Sequence, residues 1–154
     1  MPLSQVPAEA VSTEPLHGRT VAVLGYGSQG RPHALNLRDS GLSVIVAQRG
    51  GSPRHEQARQ DGFTPLDVAS AARGADLLIF ALPDDAAPDV FAAEVGPHLR
   101  HGQTLGFIHG YAIRFGRLHP PADVDVVLVA PKAQGRGVRR AFLAGGGPPC
   151  LIAV

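Results

Sequence analysis

Short apolar runs alternate along this chain with stretches of helical periodicity. The runs fall in residues 19–24, 42–47, 75–82, 103–108, 125–130 and 150–154, for example Val21-Ala22-Val23-Leu24 and Leu77-Leu78-Ile79-Phe80. Runs of this length, bounded by turn residues, read as buried strands. Between them, residues 28–40 place Ala34, Leu35 and Leu37 at helical spacing and are closed by Gly41. Residues 55–61, 67–73, 85–99 and 136–143 supply further helices, with Asp67 as an N-cap. Strand and helix in alternation predict an α/β fold: a doubly wound, mainly parallel sheet with helices on both faces and right-handed crossovers. Residues 1–18, with Pro2, Pro7 and Pro15 and no apolar period, are expected to form a flexible arm ahead of one domain over residues 19–154.

The first strand runs directly into Gly25-Tyr26-Gly27-Ser28-Gln29-Gly30 and then into a helix. Strand, G-x-G-x-x-G turn and helix in that order are the fingerprint of a Rossmann-type dinucleotide site. Gly25 allows the tight turn, Gly27 the approach of a pyrophosphate, and Gly30 the packing of helix on strand. The phosphates would rest on the helix N-terminus, where free N–H groups and the helix dipole favour an anion. A purely structural glycine turn is the alternative. After the second strand comes Gln48-Arg49-Gly50-Gly51-Ser52-Pro53-Arg54. An NAD site places an acid here for the ribose 2′-OH. Two arginines and a serine instead suit a 2′-phosphate, and so NADP(H), although a solvated basic turn would look the same.

Composition narrows the classes. Of 154 residues, 44% are hydrophobic but only 5% aromatic, so the core must come from Val, Leu, Ile and Ala, as in a sheet covered by helices. A net charge of +1 gives no global attraction to nucleic acid or membrane, leaving only the cluster Arg136, Arg139 and Arg140 with Arg31 as a basic patch. Neither a membrane span nor a signal peptide is expected, and the reading is cytoplasmic. Cys150, the single cysteine, lies in an apolar run and reads as a buried, inert thiol. Asp84 and Asp85 after the third strand suit a helix start better than a metal site, and no metal ligands are assigned. His109, at the end of the fourth strand, is a candidate acid, base or hydrogen-bond donor, or a structural histidine.

From about Leu16 to Val154 the chain resembles the N-terminal half of ketol-acid reductoisomerase. The resemblance rests on Gly-Tyr-Gly-Ser-Gln-Gly followed by His33-Ala34-Leu35-Asn36-Leu37-Arg38-Asp39-Ser40-Gly41, then Leu82-Pro83-Asp84, Phe107-Ile108-His109-Gly110-Tyr111, Val129-Ala130-Pro131-Lys132 and Gly145-Gly146-Gly147. It implies NADPH bound by Gly25, Tyr26, Gly27, Ser28, Gln29 and Gly30. It further implies Arg49 and Ser52 at the 2′-phosphate, Leu82, Pro83 and Asp84 on the adenosine side, and Gly135 near the nicotinamide. His109 takes a catalytic role and Lys132 lies beside it.

The family reaction is a magnesium-dependent alkyl migration in an acetohydroxy acid followed by hydride transfer, within valine and isoleucine synthesis. Its metal ligands come from a helical C-terminal half beyond the stretch matched here. Magnesium is therefore expected only if a partner chain supplies ligands, and the lone chain is expected not to complete the migration. A small-molecule substrate (a 2-keto or acetohydroxy acid, or an imine) and a homodimer or a partner in trans are the expected associations. A noncatalytic, partner-dependent NADP-binding module is the alternative. Departures from the family pattern include Arg31-Pro32 for His-Ala, Arg54 for a phosphate-binding serine, Ala87 for a glutamine, and Ala133, Gln134 and Arg136 after Lys132. Arg54 could still serve the 2′-phosphate, and Arg31 could reach the pyrophosphate.

Overall fold

Val21, Ala22, Val23 and Leu24 are fully buried, so strand β1 (Thr20–Leu24) must be covered on both faces. In the computed structural model, which describes residues 5–154, it is. β1 pairs in parallel with β2 (Ser43–Ala47) on one side and β3 (Leu77–Phe80) on the other. β4 (Thr104–Phe107) and β5 (Asp125–Pro131) continue the parallel sheet, and β6 (Cys150–Ala153) closes it antiparallel to β5. Among the described residues the order is β2-β1-β3-β4-β5-β6. This is the doubly wound, mainly parallel Rossmann-type sheet expected from the sequence.

Each face of the sheet buries a different set of helices. On one, α1 (Gly30–Asp39) and α2 (Pro53–Gln60) bring Ala34 and Ala58 against Val23, Val46 and Tyr26. On the other, α3 (Val68–Gly74) and α4 (Ala87–Val90), with the turns after α4, bring Ala71, Ala72, Phe91 and Val95 against Leu24, Leu78, Phe80 and Leu105. Phe80 and Phe107 stack there with centroids 4.9 Å apart. Each such Leu, Val or Phe taken out of water contributes about 1.5–3 kcal/mol, which fixes strand register more firmly than any single polar contact. Buried Gln103 closes the lower end of this core, donating to the carbonyls of Ala72 and Ala75 and accepting from Arg100 N.

Several details differ from the sequence expectation. The helix expected over residues 85–99 is regular only in α4, then widens into a π turn at Phe91–Val95 and tightens into a 3-10 turn at Gly96–His98. Pro97 has no N–H to return to the preceding turn, so a regular helix cannot run through it. A short helix α5 (Tyr111–Arg114) follows His109, where the sequence pattern assigns no element. Cys150, expected to be buried, is exposed. Its strand is a sheet edge bonded only to β5, and all of its residues face solvent. Ahead of β1, Ala8–Ala10 and Glu14–Leu16 form 3-10 turns.

The last helix, α6 (Gly135–Leu143), lies against α1. A Cβ on Gly135 would stand 1.5 Å from the Ser28 carbonyl oxygen, so the two backbones touch only because residue 135 is glycine. Arg139 donates to Asn36 Oδ1 (2.8 Å) and forms an ion pair with Asp39, fastening the two helices. A second clamp joins α1 to α2. The buried Tyr26 ring packs edge-on against Phe63, and its hydroxyl donates to Asp61 Oδ2 at 2.9 Å. Arg31 grips the same carboxylate through Nε (2.6 Å) and Nη2 (2.9 Å).

The hydrogen bonds from Arg31 hold the Asp61 carboxyl below its usual 3.8, against the opposing effect of burial. Burial first, and then the bond to Asp61, push the Tyr26 phenol well above its usual range. Because the folded-state value of Asp61 is depressed, its stabilising contribution is complete above the unfolded value and is lost as pH falls through the folded one. Asp61→Asn should therefore lower the urea midpoint at pH 7, and the difference from the parent should shrink steadily below about pH 4. Equal differences at neutral and acid pH would show that the clamp does not depend on the charge.

Candidate functional site

The crevice opens where the sheet changes winding direction, between the carboxyl ends of β1 and β3, which is where ligands of such sheets bind. Leaving β1, Gly25 turns at φ +94° and donates its N–H to the Ala47 carbonyl at 2.8 Å. Its own carbonyl oxygen occupies the place of a side chain at residue 30, where a Cβ would lie only 2.0 Å away. The first turn of α1 is thus pressed onto the strand end.

Beside this loop, Gln48 does what the sequence did not disclose. Its Oε1 accepts from Tyr26 N at 2.8 Å and its Nε2 donates to Ser52 Oγ at 3.2 Å, tying the glycine loop to the loop after β2. It stands at the position where an NAD site has its acid, but both ends of its amide are occupied within the protein. Ser52 in turn caps α2, accepting from His55 N (3.1 Å) and donating to the Arg49 carbonyl (2.9 Å). A phosphate could receive this hydroxyl hydrogen only if it swung away from Arg49. The Arg49 and Arg54 side chains are exposed and form no hydrogen bond or ion pair among the described residues.

Gly25, Arg49, Arg54, Leu82 and Pro83 all line one cavity of about 620 Å³. Leu66, Val68 and Val90 give it apolar walls, while Asp67 and Glu94 also border it. The Asp67 carboxylate is committed to capping α3 through Ser70 N (2.7 Å) and Ser70 Oγ (2.8 Å). An apolar slot for a base, beside two unpaired guanidiniums and Gly25, fits the adenosine half of a dinucleotide phosphate. Gly27, Ser28, Gln29 and Gly135 border a separate groove of about 760 Å³ between α1 and α6. Gln29 Nε2 donates to the Ala133 carbonyl at 2.9 Å, joining the glycine loop to the segment after β5. Burial holds the His33 imidazole below its usual range.

His109 and Asp84, expected from separate strand ends, meet: His109 Nδ1 lies 3.0 and 3.2 Å from the two Asp84 carboxylate oxygens. Both border a small cavity of about 190 Å³ beside Leu82 and Pro83. The carboxylate partner places the hydrogen on Nδ1 and leaves Nε2 directed elsewhere. Lys132 is not drawn into this pair. Its side chain is exposed at the end of β5, and its backbone N–H is spent on the Pro149 carbonyl at 2.8 Å. The arginines of the basic patch, Arg31, Arg136, Arg139 and Arg140, all border the groove between α1 and α6, but Arg31 is bound to Asp61 and Arg139 to Asp39. Among the described residues, no group of three or more His, Cys, Asp or Glu side chains is assembled to hold a metal ion, and no helix is long and apolar enough to cross a membrane.

This arrangement has close counterparts. The family model for the acetohydroxy acid isomeroreductase NADPH-binding domain matches residues 15–154. A ketol-acid reductoisomerase (NADP(+)) of Pyrobaculum neutrophilum is 51% identical over 143 residues, covering 93% of this chain and 44% of that protein. The solved structure of an NADH-preferring ketol-acid reductoisomerase from an uncultured archaeon superposes with a TM-score of 0.91 at 42% identity, over 96% of this chain and 46% of that one. A 3-hydroxyisobutyrate dehydrogenase of Mycobacterium tuberculosis shares the fold alone, with 18% identity, a TM-score of 0.65, and coverage of 80% of this chain and 44% of that one. The chain spans less than half the length of these relatives. It belongs to the ketol-acid reductoisomerase family, and what it contains is that family's NADPH-binding domain.

Proposed function

We propose that residues 19–154 bind NADPH in preference to NADH, with the adenine in the cavity under Leu82 and Pro83. In this reading the 2′-phosphate lies against Arg49 and the N-terminal turn of α2, and residues 1–18 form an arm outside the site. The observation that carries it is the unpaired Arg49 beside a strand end that has no acid, only an internally satisfied Gln48. Calorimetry should find NADPH bound more tightly than NADH. Arg49→Ala should weaken NADPH by about tenfold or more, the scale of one charge-assisted hydrogen bond, and leave NADH nearly unchanged. Equal binding of both dinucleotides by the parent would overturn the phosphate-site assignment.

The chemistry follows from the same placement. Bound NADPH supplies a hydride to the carbon of a carbonyl or imine. His109, with both ring nitrogens protonated and Nδ1–H held by Asp84, gives its Nε2 proton to the oxygen or nitrogen and is left neutral, Lys132 being the alternative donor. The substrate proposed is a small 2-keto acid, acetohydroxy acid or imine. The magnesium-dependent alkyl migration of branched-chain amino acid synthesis would require carboxylates that the described residues do not bring together. His109→Ala should lower kcat for hydride transfer by about 10²–10⁴-fold while leaving NADPH affinity intact. A loss of NADPH affinity with kcat preserved would assign His109 to binding instead.

A second reading, a partner-dependent binding module in the cytoplasm, is favoured by the open edge. β6 exposes Leu151 and Ile152, and Val129, paired with Ile152, is exposed beside them. An edge strand with such side chains is a template for pairing. Light scattering should show a homodimer that Ile152→Lys converts to monomer. A monomeric parent chain would remove the support for self-association.

A further inference from the structure

Sequence order suggests that Arg31, next to the glycine loop, meets the pyrophosphate and that Arg54, beyond Ser52, meets the 2′-phosphate. The tertiary structure reverses the opportunity. Arg31 holds Asp61 through two hydrogen bonds and faces α2. The Arg54 side chain instead reaches back from the first turn of α2 across the glycine loop. Its Nη1 lies 2.8 Å and its Cζ 3.5 Å from the point where a Cβ on Gly27 would be.

We propose that Arg54 is the pyrophosphate ligand of this site, and that Arg49 alone among the arginines reads the 2′-phosphate. The proposal rests on the NADPH-binding reading above and assigns the two charges within it. Gly27 is the residue at which the backbone lies open to a pyrophosphate in a strand–glycine-turn–helix unit. A guanidinium parked over it has five donors, is permanently charged, and matches two phosphate oxygens at once. Arg54 also borders the 620 Å³ cavity, whereas Gly27 borders the groove beside α1. It therefore stands at the seam that a dinucleotide crosses on leaving the adenosine cavity for the glycine loop. Of the acids around that cavity, Asp67 is committed to its cap and Arg54 is paired with neither Asp67 nor Glu94, so its charge is available to a ligand. A larger residue at 27 would meet this guanidinium and push it aside.

The two arginines are separated by the ratio of two affinities. Calorimetric titration of the parent chain, Arg54→Ala and Arg49→Ala with NADPH and with NADH should show Arg54→Ala weakening both dinucleotides by a similar factor of about ten or more, so that their ratio is preserved. Arg49→Ala should erode the ratio. Arg54→Gln, which keeps most of the side-chain length but not the charge, should repeat the Arg54→Ala pattern, and thermal unfolding by circular dichroism checks that each variant is folded. If Arg54→Ala weakens NADPH but not NADH, Arg54 is a 2′-phosphate ligand and the proposal is overturned. If it changes neither, Arg54 is a bystander and the proposal is again overturned. A parent chain that binds neither dinucleotide removes the underlying NADPH reading, a failure distinct from either of these.

Discussion

The carbonyl oxygen of Gly25 occupies the space where any other residue would put its side chain at position 30. This contact sets how closely α1 can approach the end of β1, and most of the site inherits its geometry. It brings the first turn of α1 to the crevice and leaves Gly27 open. It also aligns Ser28 so that its carbonyl meets the glycine that begins α6. Backbone against backbone at this range admits no adjustment by rotamers, so the loop is rigid where a phosphate needs preformed donors.

Around that rigid turn, polar side chains do the joining. Gln48 ties the glycine loop to the loop after β2, the Tyr26–Asp61–Arg31 clamp ties α1 to the far end of α2, and Gln29 ties the loop to the segment after β5. Two of the ties run to the connection between β2 and β3 and the third to the connection between β5 and β6. The loop is consequently held by the same segments that supply the candidate ligands Arg49, Arg54 and Gly135. Two arginines close to the crevice, Arg49 and Arg54, are left without acidic partners, whereas Arg31 and Arg139 are not. The adenosine end of the crevice therefore carries two arginines that no carboxylate among the described residues neutralises.

Much of the site was legible from local pattern. The glycine turn, the strand ends at Leu82 and His109, the N-cap at Asp67 and the absence of an acid after β2 are all short-range features, set by sterics and by where a strand's carboxyl end must face. Gln48 and Asp61 were not legible, because a glutamine in a loop and an aspartate at a helix end carry no distinctive spacing. Their roles come from groups 22, 30 and 35 residues away. Cys150 was misread for a related reason. An apolar run reports that a segment can be buried, but whether an edge strand is covered depends on what packs beside it.

The sequence by itself determined the α/β class, the order of strands and helices, the dinucleotide turn and the family, since each is written in residues adjacent along the chain. Only the tertiary structure decided which arginine faces which charge. Arg31 turned to Asp61, Arg54 crossed to Gly27, and His109 met Asp84, because α2 folds back over the glycine loop and β3 lies beside β4. Those pairings depend on the separation of side-chain tips after packing, a quantity that no local pattern of residues encodes.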